Sequence, residues 1–496
     1  MAADSAALRM GSTRGRWVLL ITVLGSGLAL LDATVVNVAL ARIGEDLGAG
    51  FADLQWTINA YTLTLAALIL LGGSLGDRFG RRRIFVIGVV WFAVASLLCG
   101  VAPNIDALIA ARGLQGIGGA LLTPGSLAII AASFHPDDRA AAVGAWSGMT
   151  GIAAAVGPLL GGWLVQVNWR LVFLVNVPVA VLIVVFAARQ VPESRDPQAA
   201  QRLDVAGTCL AAVGLGLLTF GLTRAGDAGF AGVVLATMGV GVACLVAFVI
   251  VEATSSAPLV PLALFRSVQF SAANVVTFLV YAALGVIFVL LVLQLQVVAG
   301  WSPLAAGTSM LPITAIMFAF SSRAGALAQR IGPRLPMALG PFISAVGVVL
   351  MSRIGAHATY FLDVLPAVLL FGAGLTLMVA PLTATVLNSA DDRNAGIASG
   401  INNAVARTAG LLAVAVVPVA AGITGDDYTE PAAFGAGYGT AMVISAALLG
   451  AGTLVAAAFV RRPPADDAAA RERLHVEDCI HCSVTGPHLH PEHWVS

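Results

Sequence analysis

One short stretch constrains this chain more than any other. Gly72 to Arg83 reads GGSLGDRFGRRR between two long apolar runs, with five charges in the seven residues from Asp77 to Arg83. Ala324 to Leu335 reads AGALAQRIGPRL and repeats it at an offset of 252 residues. Gly73 then matches Gly325, Arg78 matches Arg330, Gly80 matches Gly332 and Arg82 matches Arg334. A charged loop that recurs between hydrophobic helices implies a duplicated membrane protein.

Composition agrees. Apolar residues make up 59% of the 496 and charged residues 10%, against about 25% charged in an average soluble domain. That is too few charges to cover the surface of two or three soluble domains. The net charge is zero, so no basic field calls for a nucleic-acid partner. All 26 basic residues are arginine, which excludes a Schiff-base lysine and the lysine of a nucleotide-binding loop. Cys99, Cys209 and Cys244 lie in apolar runs as small buried hydrophobes, and no disulfide framework is indicated. The apolar stretch after Arg9, Arg14 and Arg16 continues to Leu40 and contains Asp32. It is too long for a signal peptide's core and reads as an uncleaved first helix.

A spanning helix needs about 20 apolar residues. On that measure helices fall near 17–40, 54–75, 84–102, 105–132, 140–166 and 171–189, then 205–224 and 230–251. Six more follow near 269–299, 303–322, 336–354, 361–385, 396–424 and 433–460. Arginines concentrate in alternate loops, so the positive-inside rule predicts fourteen helices with both termini cytoplasmic. A second repeat, Asp137-Asp138-Arg139 and Asp391-Asp392-Arg393, gives nearly the same offset, a shift of eight helices. The organisation expected is an N-terminal segment 1–16, a six-helix bundle 17–189, two inserted helices with linkers 190–267, a second bundle 268–460 and a disordered tail 461–496. Parallel six-helix repeats place a substrate site near mid-membrane between the halves.

The first loop resembles the one joining helices 2 and 3 in the major facilitator superfamily. LDATVVNVAL at 31–40 resembles the first-helix motif of that family's fourteen-helix drug:proton antiporter branch. RGLQGIGGALLTP at 112–124 and GIAAAVGPLLGG at 151–162 resemble its fourth- and fifth-helix motifs. The resemblance covers nearly the whole chain. It implies an all-α membrane protein of two six-helix bundles plus two inserted helices. It also implies a proton-driven exporter of a hydrophobic drug, antibiotic or natural product, needing no cofactor, in the cytoplasmic membrane.

Asp32 is the leading functional residue. An aspartate deep in a membrane helix is costly unless paired or functional. Burial favours the neutral carboxyl and a nearby cation the charged one, so a carboxyl whose surroundings change between two states can load and release a proton. A static ion pair fits the same residue. Arg112 is the expected partner: counting ~1.5 Å per residue from opposite faces brings the two to similar depths. The resemblance implies a part for this arginine in proton coupling.

The first loop, with Gly73, Asp77, Arg78, Gly80 and Arg81, reads as a conformational latch or as a topology signal alone. Gly151, Gly157, Pro158, Gly161 and Gly162 read as a rocking contact in helix 5 or as ordinary tight packing. Asn37, Asn59 and Tyr61 read as pathway-lining residues or, equally, as interhelical hydrogen bonds, and Gln115, Asn402, Asn403 and Arg407 are further candidates to line the pathway. In the tail, Cys479, Cys482, His475 and His481 are weak metal candidates against a disordered default. The sparse intramembrane charge favours a neutral or cationic lipophile. The expected partners are that substrate, protons and the bilayer, with the chain acting as a monomer. The alternatives are a proton-coupled metabolite transporter or importer on the same fold, and a non-transporting sensor. A membrane enzyme would need converging acids, bases or histidines that the helices lack.

Overall fold

The computed structural model describes residues 8–196, 204–255, 258–390, 395–425 and 430–461, with residues 151–155 and some neighbours in their helix described by backbone alone. The first bundle contains α1 (Thr13–Leu47), α2 (Phe51–Phe79), α3 (Arg81–Gly100), α4 (Ile105–Ser133), α5 (Pro136–Val167) and α6 (Leu171–Gln190). A hairpin of α7 (Val205–Ala228) and α8 (Gly232–Thr254) follows. The second bundle comprises α9 (Val268–Val298), α10 (Pro303–Ile331), α11 (Arg334–Met351), α12 (Tyr360–Asn388), α13 (Ala395–Ala420) and α14 (Pro431–Phe459). Thirteen are long and apolar enough to cross a bilayer; α5 has 32 residues, with an apolar described part at Val156–Val167. In lipid each backbone group must be satisfied within the protein, which helices do inside their own segment and closed barrels between strands. The chain is a multi-pass membrane protein.

Local chemistry sets the helix ends. Ser12 accepts from the Gly15 N–H, Asn104 from Ala107 and Ser302 from Ala305, so each satisfies a free donor at a helix start. α1 runs four residues earlier and seven later than the apolar run suggests, because Ser12 starts it and Gly48, at φ 59, stops it. Breaks interrupt α6 at Val175 and α10 before Leu311, next to Pro178 and Pro312. π-turns end α9 at Gln294–Val298 and start α12 at Tyr360–Val364.

The duplication is visible in the packing. α1 lies against α5 and α6, α2 and α3 against α4, and α3 against α6. α9 lies against α13 and α14, α10 and α11 against α12, and α11 against α14. The repeated loop also keeps its backbone. Gly80 has φ 116 and Gly332 has φ 89, a region where only glycine is comfortable. Asp391-Asp392-Arg393 lies outside the described residues.

The bundles meet where α2 touches α13 and α5 touches α10. The inserted hairpin lays α7 over the α2–α13 seam. α1 and α9 have 67% and 61% of their apolar windows buried, and α8 only 11%. The first two are therefore the inner helices and α8 faces lipid. Both ends of the helical region, Thr13 and Phe459, lie on one face, here called the terminal face. Arg78, Arg81, Arg82, Arg83, Arg266, Arg330 and Arg334 lie at helix ends or loops on that face, and few arginines, among them Arg42, Arg170 and Arg353, lie at the far one.

Candidate functional site

Asp32 and Arg112 are brought together. Arg112 Nη1 is 2.5 Å from Asp32 Oδ2, with side-chain exposures of 1% and 0%. The pair is embedded in a polar network drawn from five helices. Gln115 Nε2 donates to Asp32 Oδ1 at 2.8 Å and to Ser96 Oγ at 2.7 Å. Asn176 Nδ2 donates to the same carboxylate oxygen at 3.0 Å. Arg112 donates from Nε to the Thr57 carbonyl at 3.0 Å and from Nη1 to Gln115 Oε1 at 2.6 Å. Its guanidinium also lies 4.4 Å from the Tyr61 ring centroid. Buried charges persist when paired and fully hydrogen-bonded, and here both conditions are met. A low-dielectric site of this kind can exchange a proton only if its geometry opens.

Tyr61 and Gln115 are both buried beside the ion pair, and the Tyr61 hydroxyl also donates to the Ala29 carbonyl of α1 at 3.4 Å, an interhelical bond. Thr57, Ser96 and Asn176 complete the network and were not expected from the sequence. Asn176, an amide within an apolar run, was the available signal. Cys99 is buried as expected but also donates from Sγ to Gln115 Oε1 at 3.7 Å.

The stretch from Gly73 to Arg83, expected as a loop, is helix except at Gly80, because α2 runs to Phe79 and α3 starts at Arg81, and it is tied to its own bundle. Asp77 pairs with Arg81 at 2.8 Å. The segment after α6 folds back on the loop. Glu193 accepts from the backbone N–H groups of Arg82 and Arg83 at 3.1 and 3.2 Å, capping α3. Arg81 N–H donates to the Ser194 carbonyl, and Asp196 N–H donates to that of Asp77. Arg78 stacks over Phe79, and Gly73 has space beside Pro124.

α5 uses its small residues on two sides. A β-carbon on Gly157 would come within 2.0 Å of Thr34 Oγ1, and one on Gly161 within 3.0 Å of Val35, so this side seats α1. A β-carbon on Gly162 would sit 2.5 Å from Leu304 Cα, and one on Gly307 2.5 Å from the Pro158 carbonyl, so this side seats α10 of the other bundle. Gly151 lies in α5, but its surroundings are outside the described residues. Further contacts join the bundles toward the far face. Gln55 donates to the Val414 carbonyl at 2.6 Å, Gln296 to the Val38 carbonyl at 3.1 Å, and Phe51 N–H to Gly425 at 3.1 Å. A cleft of about 810 Å³ opens there between α1, α5, α9 and α10; its charges, Arg42 and Glu45, pair at 2.8 Å.

The remaining pathway candidates separate. Asn402 turns into the second bundle, donating to Asn274 at 3.1 Å and Thr277 at 2.8 Å. Asn403 is exposed and Arg407 half-buried on α13, while Asn37 is half-buried on α1. Asn59 is fully buried, and neither end of its amide has a hydrogen-bond partner among the described residues. Cys479, Cys482, His475 and His481 lie outside the described residues. Among the described residues no cluster of three metal-ligating side chains occurs.

Comparison with known proteins matches the sequence profile of the Major Facilitator Superfamily to residues 22–415. A tetracenomycin C resistance and export protein of Streptomyces glaucescens is 36% identical over 413 residues, covering 82% of this chain and 76% of that protein. A puromycin resistance protein of Streptomyces alboniger is 35% identical and covers 87% of each chain. A methylenomycin A resistance protein of Bacillus subtilis is 35% identical, covering 82% of this chain and 88% of its own. Among solved structures, the peptide transporter PepTSo has a TM-score of 0.67 at 16% identity, covering 90% of this chain and 98% of its own. An inward-facing bacterial homologue of the lysosomal transporter Spinster gives 0.62 at 18%, covering 92% and 100%. At such identities the likeness is one of fold.

Proposed function

Because the chain belongs to the Major Facilitator Superfamily, we propose that it exports a lipophilic antibiotic or drug in exchange for protons. Transport would proceed by alternating access across the cytoplasmic membrane. The relatives named for resistance and export, each about a third identical over most of both chains, support the substrate class. The single observation behind proton coupling is Asp32, a carboxylate sealed at 0% exposure against Arg112. The arginine distribution supports a cytoplasmic terminal face.

In this reading the α5–α10 contact and the Gln55–Val414 bond hold the two bundles together toward the far side, beside the cleft that opens there. A proton that reaches Asp32 removes the charge opposing Arg112 and leaves the guanidinium with neutral acceptors only. The arrangement that stabilised one state is thereby weakened, and a second packing of α1 against α4 gains population. The loop of Asp77 and Arg81, held by Glu193, acts as a latch that moves with the first bundle. The inside of α5, where Gly161 and Gly162 contact different bundles, is the rocking surface.

The experiment is dye transport in inside-out membrane vesicles energised by a proton gradient. Wild type is expected to accumulate dye and release protons, and Asp32→Asn to lose both. Full proton-coupled transport by Asp32→Asn would make the buried pair a structural element only. A wild type that moves no dye or antibiotic while folded would favour a transporter of narrow substrate range or an importer.

A further inference from the structure

Arg407 stands midway along α13, in a membrane span, half-buried. Among the described residues it makes no hydrogen bond and no ion pair. The other deep charges, Asp32 and Arg112, neutralise each other, so Arg407 is an unmatched cation inside the protein. An unmatched charge at that depth is costly and calls for a partner. Its position identifies where the partner would bind. Its helix, α13, packs against α2 of the first bundle as well as α9 of the second, so Arg407 stands on the helix that forms the seam between the bundles. Asn403, one turn away on the same face, is exposed, and its amide nitrogen reaches only its own helix at Ser399. Gly410, one turn further, is where α13 packs closely on α9: a β-carbon on Gly285 would lie 2.9 Å from Gly410 Cα.

We propose that Arg407 is the anion-recognition residue of the substrate site, and that the exported compounds are lipophilic acids. Suitable groups are a carboxylate, phenolate or enolate on an aromatic frame. The planar guanidinium offers paired donors that match such oxygens. Asn403 adds an exposed polar group on the same wall. A lipophilic cation is repelled by the same charge. The charge count of the sequence pointed to a neutral or cationic substrate; the absence of an internal partner for Arg407 reverses that expectation.

The inference rests on the export reading, and its test separates the two. Purified full-length protein in lipid nanodiscs is titrated with fluorescein, ethidium and the neutral dye Nile red, with binding followed by fluorescence anisotropy. Wild type is expected to bind fluorescein in preference to ethidium. Arg407→Gln is expected to weaken fluorescein about tenfold or more, the size of a lost charged hydrogen bond, and to leave Nile red unchanged. Arg407→Lys is expected to restore much of the fluorescein binding. If Arg407→Gln fails to fold, Arg407→Lys and the salt dependence of wild-type binding decide, because screening must weaken fluorescein selectively. Tighter ethidium binding in wild type, or equal weakening of all three dyes by Arg407→Gln, overturns the proposal. Flux of each dye is then measured in vesicles. Fluorescein binding without flux of any dye overturns export and leaves the anion site standing. Ethidium flux without fluorescein binding does the reverse.

Discussion

Asp32 and Arg112 are separated by 80 positions in the sequence and by 2.5 Å in the structure, with neither side chain more than 1% exposed. Removing one partner of such a pair strands a buried charge, which costs about 3–5 kcal/mol. Arg112→Gln is therefore expected to lower thermal stability strongly, and Arg112→Gln with Asp32→Asn together to lower it less. The check is a double-mutant cycle of melting temperatures in one lipid or detergent. Additive losses would show that the charges do not act as a pair.

Gly162 makes a second prediction. A β-carbon there would fall 2.5 Å from Leu304 Cα and 3.0 Å from the Pro303 carbonyl, both backbone positions that cannot swing aside. Gly162→Leu is expected to separate α5 from the start of α10 and abolish transport, while the first bundle remains folded. Cross-linking between cysteines placed at positions 55 and 414 reports the far-face contact, and its yield is expected to fall in this variant.

Glu193 caps α3 and accepts from two of its first N–H groups. Glu193→Ala removes both bonds and the negative charge near the helix start, worth about 1 kcal/mol. Faster hydrogen exchange at residues 81–83 is expected, with little change at residues 105–133. Unchanged exchange at 81–83 would mean that the linker, rather than its carboxylate, holds the loop.

At the base of the inserted hairpin, Asp204 and Glu252 form an acidic pair. Asp204 Oδ1 caps α7 through Gly207 N–H at 2.7 Å, and Glu252 Oε2 accepts from Val260 N–H at 3.0 Å. Among the described residues their other oxygens, Asp204 Oδ2 and Glu252 Oε1, are buried and accept from no donor. Glu252→Gln supplies a donor between them, so a gain of about 1 kcal/mol is expected. A raised melting temperature at neutral pH checks it, and a lowered one contradicts it.

The apolar runs and the arginine pattern by themselves determined the number and order of the helices, and the repeated charged stretches their duplication. A bilayer forces each apolar run to satisfy its own backbone bonds, so a run of sufficient length becomes a helix whatever its neighbours do. The repeat at Gly80 and Gly332 was equally legible, because a left-handed backbone position selects glycine locally. The depth of Asp32 and Arg112 also followed from counting residues along each helix. Which way each helix turns did not follow, because rotation about the helix axis is fixed by packing against segments far away in sequence. For that reason Gln115 read as a pathway residue, and Tyr61 as that or an interhelical bond, and both proved to lie against the ion pair. Asn176, Ser96 and Thr57 gave little signal as single polar residues in or beside apolar runs. The same packing gave Asn402 two partners inside its bundle and left Arg407, five residues on, with none among the described residues.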